Sequence, residues 1–356
     1  MQSAKPSKKQ INQKLAKIKS KKLLLNIDIK TNLANYSKAV LGDKTNFHPR
    51  NQHRKRYDFD SLILTTPTLA NFVKLNAYSD NTIDFADPNA VIALNKALLA
   101  HHYHISDWDI PAQYLCPAIP GRADYIHYLA DLLNSDIQTK SATNKTKKIR
   151  ILDIGVGANM VYPLIANHEY GWQCVGSDID ETALNNANTI LQSNDDLKDS
   201  IELRLQTNAT HYFEGIINSG DTFDLTLCNP PFHASIDEAE AGNKRKLNGL
   251  AKSKDNLYRN NTERSLPVSL QANNFGGNSL ELVCNGGEQA FICGMISESQ
   301  LFASQVTWFS SLVSKESSLP AIYSRLAEVG VTTFKTINMA QGQKKSRFIA
   351  WSFKSK

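Results

Sequence analysis

At 356 residues, 41% hydrophobic and with a net charge of +6, the chain can bury a sizeable core and hold about two domains. No apolar run approaches the ~18 residues that cross a membrane, and the basic start leads into no apolar signal core, so neither a membrane-spanning nor an exported protein is expected. Five cysteines (Cys116, Cys174, Cys228, Cys284 and Cys293) form no CxxC pair and are odd in number, which speaks against a disulfide framework or a zinc site and fits buried, inert thiols in a reducing cytoplasm.

Residues 1–56 contain 15 Lys or Arg against two acids, Asp28 and Asp43, so the remainder of the chain is net negative. A basic arm on a mildly acidic body points to a polyanionic partner, most commonly nucleic acid; a solvated tail is the plainer alternative. Residues 1 to about 45 are rich in Lys, Ser, Asn and Gln and bury too little to fold alone, so disorder or a helix formed on binding is expected. The stretch from Phe47 to Phe59 mixes cations with aromatic rings. Arg50, Arg54, Lys55 and Arg56 suit phosphates while flat rings stack on unpaired bases, although the same rings could pack on the next helix.

Asp87-Pro88 opens a helix with Val91, Ile92, Leu94, Leu98 and Leu99 at helical spacing. An irregular link through Pro111 and Pro117–Gly121 leads to a second amphipathic helix, roughly Arg122 to Leu133. Residues 46–145 therefore read as a small helical subdomain, closed by a polar, lysine-rich linker or lid from Ser135 to Lys148. From Ile149 strand and helix alternate, the mark of a parallel sheet in an α/β domain over residues 146–356. Strands are expected at Ile149–Ile154, Gln173–Ser177, Ile201–Leu205, Phe223–Cys228 and Val306–Val313. Helices are expected around Tyr162–Ala166, Glu181–Gln192, Glu288–Phe302 and Pro320–Val329. Val331–Ile337 and Arg347–Phe353 suit a closing hairpin joined by Asn338–Ser346. Residues 233–286 form a polar insertion whose length suits a functional loop, a lid or disorder.

Three strand ends carry chemistry. The first reads Asp153-Ile154-Gly155-Val156-Gly157-Ala158-Asn159: its glycines let backbone approach a ligand, but Met160 replaces the last glycine of a dinucleotide fingerprint. Asp-x-Gly-x-Gly suits S-adenosylmethionine, which needs close backbone without a phosphate cradle. The second ends in Asp178, placed to accept from ribose hydroxyls, with Asp180 competing for that role but better suited to capping the next helix. After the third strand, Gln206-Thr207-Asn208 stands where an adenine edge would be read, although Asn208 could simply be a turn residue.

The fourth ends in Asn229-Pro230-Pro231-Phe232. The prolines stop the strand. The Asn229 side-chain oxygen and the Pro230 carbonyl can accept from a planar NH2 group and hold its nitrogen in line with a donor methyl. Phe232 would stack on a flipped base. No strong base is needed, because the nitrogen becomes acidic only after methylation; His233 fits a positional role. Together the motifs spell an S-adenosylmethionine-dependent methyltransferase of planar NH2 groups.

Across Phe47–Phe353 the chain resembles the bacterial ribosomal RNA large subunit methyltransferase F family, which acts on N6 of adenine 1618 in 23S rRNA. The resemblance is carried by His48-Pro49-Arg50-Asn51, Tyr57-Asp58-Phe59, Ile119 to Tyr128, the Asp153–Asn159 turn, Asn229-Pro230-Pro231-Phe232 and Met339 to Phe348. The human U6 small nuclear RNA adenine methyltransferase is similar over the same core. The resemblance implies a Rossmann-like class I fold with a seven-stranded sheet and a helical N-terminal subdomain. It implies S-adenosylmethionine as cofactor, with Arg122 at its carboxylate and Gly155, Asp178, Asn208 and Asn229 around cofactor and target. The basic stretch before Tyr57 and the insertion, with Lys244, Arg245 and Lys246, would grip 23S rRNA or a large-subunit precursor. A cytoplasmic monomer without metal is expected. The rivals are a guanine-N2 rRNA methyltransferase, a glutamine-N5 protein methyltransferase and an inactive RNA-binding assembly factor.

Overall fold

Short β-branched and apolar runs bounded by Gly, Pro and Asn build one seven-stranded sheet in a computed structural model that describes residues 47–76, 78–137, 148–235, 281, 283–341 and 344–354. In chain order the elements are α1 (Phe59–Thr65), a short hairpin of β1 (Lys74–Leu75) and β2 (Asn81–Thr82), α2 (Pro88–Tyr103) and α3 (Ile119–Ile137). The sheet region follows as β3 (Arg150–Ile154), α4 (Val161–Tyr170), β4 (Gln173–Asp178), α5 (Glu181–Gln192), β5 (Ile201–Leu205) and β6 (Phe223–Cys228). It closes with α6 (Gly287–Ser299), β7 (Val306–Val313), α7 (Leu319–Glu328), β8 (Thr333–Gln341) and β9 (Lys344–Ser352). The strand order is β5-β4-β3-β6-β7-β9-β8. The first five run parallel, and β9 and β8 add an antiparallel pair. Neighbours are added to opposite sides of β3, which makes a switch point and opens a crevice at the carboxyl ends of β3 and β6. This is the expected α/β fold.

Helix starts follow the expected chemistry. The Asp87 carboxylate accepts from Asn89 N at 2.9 Å with Pro88 in the first turn, and Asp180 accepts from Thr182 N and Ala183 N. Helix α3 starts earlier than expected. Pro120 and Gly121 read as breakers in sequence, but proline is tolerated in a first helical turn and both lie inside the helix. The closing hairpin is also longer than expected: Asn338 pairs with Arg347 and Met339 with Ser346, so residues placed in a loop belong to the ladder. Met339 is buried and Arg347 reaches Glu316 at 3.1 Å, so tertiary packing overrides a polar composition. The residues 1–46, 138–147 and 236–280, which hold the basic arm, most of the linker and most of the insertion with Lys244, Arg245 and Lys246, lie outside the described residues.

One apolar core runs from the N-terminal helices into the sheet. Leu98, Leu99, Ile126 and Leu129 belong to the same buried cluster as Ile151, Leu225 and Trp308. Full burial of each such side chain contributes about 1.5–3 kcal/mol. The Tyr125 hydroxyl sits 2.8 Å from Ser310 Oγ, which donates to Thr226 O, so α3 is pinned to β7 and β6 at a fixed height. The other sheet face is covered by α6 and α7 around Phe213, Ile292, Phe309 and Trp351.

A polar clamp fixes α3 from outside. His48 N and Asn51 Nδ2 both donate to Asp124 Oδ1, at 2.9 and 2.6 Å, and Asn51 Nδ2 also reaches Pro120 O at 2.9 Å. His48 Nε2 lies 3.0 Å from Asp131 Oδ2. Arg50 donates to Asp131 Oδ1 at 2.7 Å, to His127 O at 2.9 Å and to the Tyr170 hydroxyl at 2.9 Å. The segment that looked like an RNA-facing strip is therefore, at residues 48–51, a joint between the N-terminal region, α3 and α4.

Candidate active site

Register decides which residues share the carboxyl edge of the sheet. Ile154 pairs with Ser177 on one side and Cys228 on the other, and Asp178 pairs with Leu205. The residues that follow these, Gly155, Asp178, Asn229 and Gln206, therefore stand side by side at the mouth of one crevice. A single cavity there is lined by Arg122, Gly155, Gly157, Asp178, Asn229 and Pro231 of the expected set, together with Leu115, Gln206, Tyr212, Glu281 and Phe291.

The turn after β3 needs its glycines. Gly155 has φ +73° and Gly157 φ +64°, a region that costs little only without a Cβ. Gly155 N and Val156 N both donate to Ser177 O at 2.9 Å, which ties the turn to β4. A Cβ built on Gly155 meets nothing within 4 Å, so its face opens onto ligand space. Met160 then enters α4 at φ +38°, and Asn159 Oδ1 accepts from Val161 N at 3.1 Å in place of the missing third glycine. Trp108 Nε1 donates to Asn159 O at 2.9 Å and locks the turn from the N-terminal side.

Four carboxylates surround this turn. Asp178 accepts from Gly157 N at 2.8 Å and Asp180 N at 3.0 Å, which aims its remaining lone pairs into the crevice. Burial raises its pKa, with the Asp180 and Gly157 amides pulling the other way. Asp180 is held as a cap and by the Tyr114 hydroxyl at 2.7 Å; burial and that bond push the Tyr114 phenol up to about 12. Asp153 lies beneath the turn, wholly buried, with neither oxygen hydrogen-bonded. Burial and then the Asp178 charge hold it well above the usual carboxylate range, opposed by Arg122. Glu281 reaches Leu115 N at 2.8 Å. Arg122 donates to the Tyr162 hydroxyl at 3.0 Å and lies 5.4 Å from that ring's centre, so its position is set by stacking as well as charge.

At the end of β6, Asn229 is half-buried, and its Oδ1 is a buried acceptor with no partner. An unsatisfied buried acceptor costs ~1–3 kcal/mol, and here the residue that carries it lines the cavity. Pro230 is buried and Phe232 half-buried, and neither belongs to the cavity wall. Asn208 is exposed, and its Oδ1 accepts from Thr210 N at 3.0 Å within its own turn, so the structure does not bring it into the wall. Gln206 stands there instead, with Nε2 on Glu214 O at 2.8 Å. Of the basic strip, Arg56 pairs with Asp80 at 2.5 Å, Arg54 reaches Pro49 O at 3.4 Å and Lys55 is exposed; none lines the cavity.

Sequence reading named Gln206 only within the stretch Gln206-Thr207-Asn208, and missed Tyr212, Glu281 and Phe291. Gln206 directly follows a strand, as Asn229 does, and is the member of that stretch that reaches the wall. Tyr212 sits in a loop whose amides at Tyr212, Phe213 and Glu214 all donate to Glu298, an acid on α6 more than 80 residues away. Its ring packs edge-on to Phe291 at 4.8 Å, and a Cβ on Gly294 would come within 2.5 Å of its hydroxyl. Only that helical glycine hints at the ring. Glu281 was hidden inside the insertion. All five thiols are free, but Cys116, Cys284 and Cys293 are half-buried rather than buried; burial raises each of the five above its ordinary value, which keeps them poor nucleophiles. Among the described residues no group of three or more His, Cys, Asp or Glu could hold a metal, and no helix is long and apolar enough to cross a membrane.

The cradle fits S-adenosylmethionine: open backbone at Gly155, a braced acid at Asp178, and a cation at Arg122. A family profile described as RNA methyltransferase matches residues 42–355. The chain is 51% identical over 313 residues to the ribosomal RNA large subunit methyltransferase F of Pseudomonas fluorescens, covering 88% of each protein. It is 52% identical to that of Desulfotalea psychrophila, covering 86% of this chain and 94% of the relative. Among solved structures, the human METTL16 catalytic domain bound to a MAT2A 3'UTR hairpin aligns with a TM-score of 0.68 at 28% identity, over 87% of this chain and 98% of that one. The N-terminal domain of human METTL16 with S-adenosylhomocysteine aligns with a TM-score of 0.65 at 25% identity, over 87% of this chain and 99% of that one. With its sheet order, its glycine turn and its acceptor at the end of β6, the chain belongs to this family of S-adenosylmethionine-dependent RNA methyltransferases.

Proposed function

We propose that the chain methylates N6 of a single adenine, position 1618, in 23S rRNA. The observation that carries this reading is the orphaned Asn229 Oδ1, buried on the wall of the same cavity that Gly155 and Asp178 line. A ligand amine would satisfy that acceptor, and an adenine exocyclic NH2 offers two donors in one plane. The relatives' names support the large-subunit substrate, and the RNA hairpin in the METTL16 structure supports a folded RNA partner.

When bound, S-adenosylmethionine supplies an electrophilic methyl group whose bonding pair stays with sulfur. Asp178 accepts from the ribose hydroxyls and Arg122 pairs with the carboxylate. Asn229 Oδ1 and the Pro230 carbonyl accept from the target NH2, aim its nitrogen lone pair at the methyl and stabilise the positive charge that grows there. The surplus proton leaves to water once the nitrogen is quaternised. Phe232 stacks on the flipped base from the cavity rim, at ~1–3 kcal/mol per base. Arg54, Lys55 and Arg56, with Lys244, Arg245 and Lys246 of the insertion, contact phosphates. Arg50 serves by holding residues 48–51 against α3. The enzyme acts as a cytoplasmic monomer.

The test is methylation of unmodified 23S rRNA with labelled S-adenosylmethionine, digestion to nucleosides and mass mapping of the modified fragment. N6-methyladenosine at one site is expected. N2-methylguanosine overturns the choice of base, and N6-methyladenosine at another nucleotide overturns the position.

A further inference from the structure

The cleft contains a carboxylate that the mechanism above leaves without a task. Glu281 lies two residues before Val283, and Val283 bridges to His233, two residues past Pro231. Cys284 N donates to His233 O at 3.1 Å, so the returning chain is tied beside the catalytic loop. From there Glu281 spans the cavity. Its Oε2 accepts from Leu115 N at 2.8 Å on one wall, and its Oε1 stands 3.4 Å from the point that a Cβ on Gly157 would occupy on the other.

Three acids line this cavity, Asp178, Asp180 and Glu281. Asp178 takes the Gly157 and Asp180 amides; Asp180 takes two helix amides and the Tyr114 hydroxyl. Glu281 stands against the glycine turn, along which a methyl donor would lie. That donor carries a positive sulfur and a positive amine, whereas the spent thioether has lost the sulfur charge. A carboxylate in a partly desolvated cleft distinguishes two ligands that differ by one charge far better than any apolar wall does.

We propose that Glu281 is a positioning residue that reads the charge of the cofactor: its carboxylate, braced by Leu115 N, favours the sulfonium form over the spent thioether and so aids product release. The inference rests on the S-adenosylmethionine chemistry described above. The test is equilibrium calorimetry of the full chain and of Glu281→Gln with S-adenosylmethionine and S-adenosylhomocysteine separately. Gln keeps an acceptor for Leu115 N and removes only the charge. The expected result is about tenfold weaker binding of the sulfonium ligand with under threefold change for the thioether, so that their affinity ratio collapses. A salt titration should agree: binding of the sulfonium ligand weakens more steeply with ionic strength in the wild type than in the variant. Equal losses for both ligands, or no loss for either, overturn the proposal and leave Glu281 as a strut for Leu115. A wild-type chain that bound neither ligand would instead strike at the cofactor chemistry itself.

Discussion

The clamp on α3 and the cleft at the sheet edge use the same kinds of side chain to opposite ends. In the clamp, His48, Arg50 and Asn51 spend their polar atoms on Asp124, Asp131, His127 O, Pro120 O and Tyr170. At the cleft, Asn229 Oδ1 in the wall and both Asp153 oxygens beneath the turn are buried without partners among the described residues. Asp124 Oδ2 and His127 Nε2 are orphaned too, but they lie in closed packing, whereas Asn229 lines an open cavity. A paired cluster holds shape; an unpaired acceptor facing a cavity holds affinity in reserve for a ligand. Both segments belong to the motifs that carry the family resemblance, so motif membership alone does not tell a joint from an active site.

The comparison breaks most visibly at Asn229. Asn229→Ala should lower single-turnover methylation by roughly 10²–10³-fold, the usual cost of one preorganised group at the reacting centre, while the melting temperature stays unchanged or rises. A loss under tenfold in that assay would mean that the orphaned oxygen is not used in the transition state. Asn51→Ala probes the other side. It strips Asp124 Oδ1 and Pro120 O of a donor each, and should cost about 2–3 kcal/mol in urea unfolding, while turnover per folded molecule changes less than threefold. If turnover collapsed with stability intact, the clamp would be part of the active site.

A paired charge away from both regions calibrates them. Asp221 accepts from Arg150 at 2.8 Å and Arg204 at 2.5 Å, and from Asn218 N. Despite burial, those bonds hold its pKa below the usual carboxylate range. A depressed folded pKa gives stability that is present above the unfolded value near 4 and lost as pH falls through the folded one. Asp221→Asn should therefore cost about 2 kcal/mol in chemical denaturation at pH 7, and the gap between variant and wild type should close as the solution is made acidic. A gap that persists unchanged in acid would show that shape rather than charge holds this site.

Most of the fold and the centre of the site were legible because local rules and tertiary outcome agree there. Asp87, Asp180 and the Gly155 turn are local devices, and the run Phe223–Cys228 stops at two prolines, so strand end and ligand edge coincide. What could not be read depends on partners distant in sequence. Glu281 meets Leu115, Glu298 holds Tyr212, and Arg50 turns toward Tyr170, each across more than 80 residues. A cation beside aromatic residues looks the same in sequence whether it faces RNA or α3. Asn208 lies outside the cavity wall for a different reason: of the stretch Gln206-Thr207-Asn208, the residue directly after the strand is Gln206, and Asn208 closes its own loop.

The smallest effect tests whether an orphan close to the cleft always serves a ligand. Asp153 is wholly buried beneath the turn and is absent from the cavity wall, so its lack of partners is a cost with no ligand to relieve it. Its folded pKa is raised, first by burial and then by Asp178. For a carboxyl the neutral form is then the stabilised one: its contribution is full below the unfolded value near 4 and is lost as pH rises from there toward the folded pKa. Asp153→Asn keeps the shape and removes the titration. The variant should match the wild type in acid and gain on the order of 1 kcal/mol as pH is raised above neutrality, measured as urea midpoints of the ligand-free chain across pH. An unchanged pH slope would mean that Asp153 is already matched in the fold, and the distinction between orphans that face the cavity and orphans beneath it would then have to be abandoned.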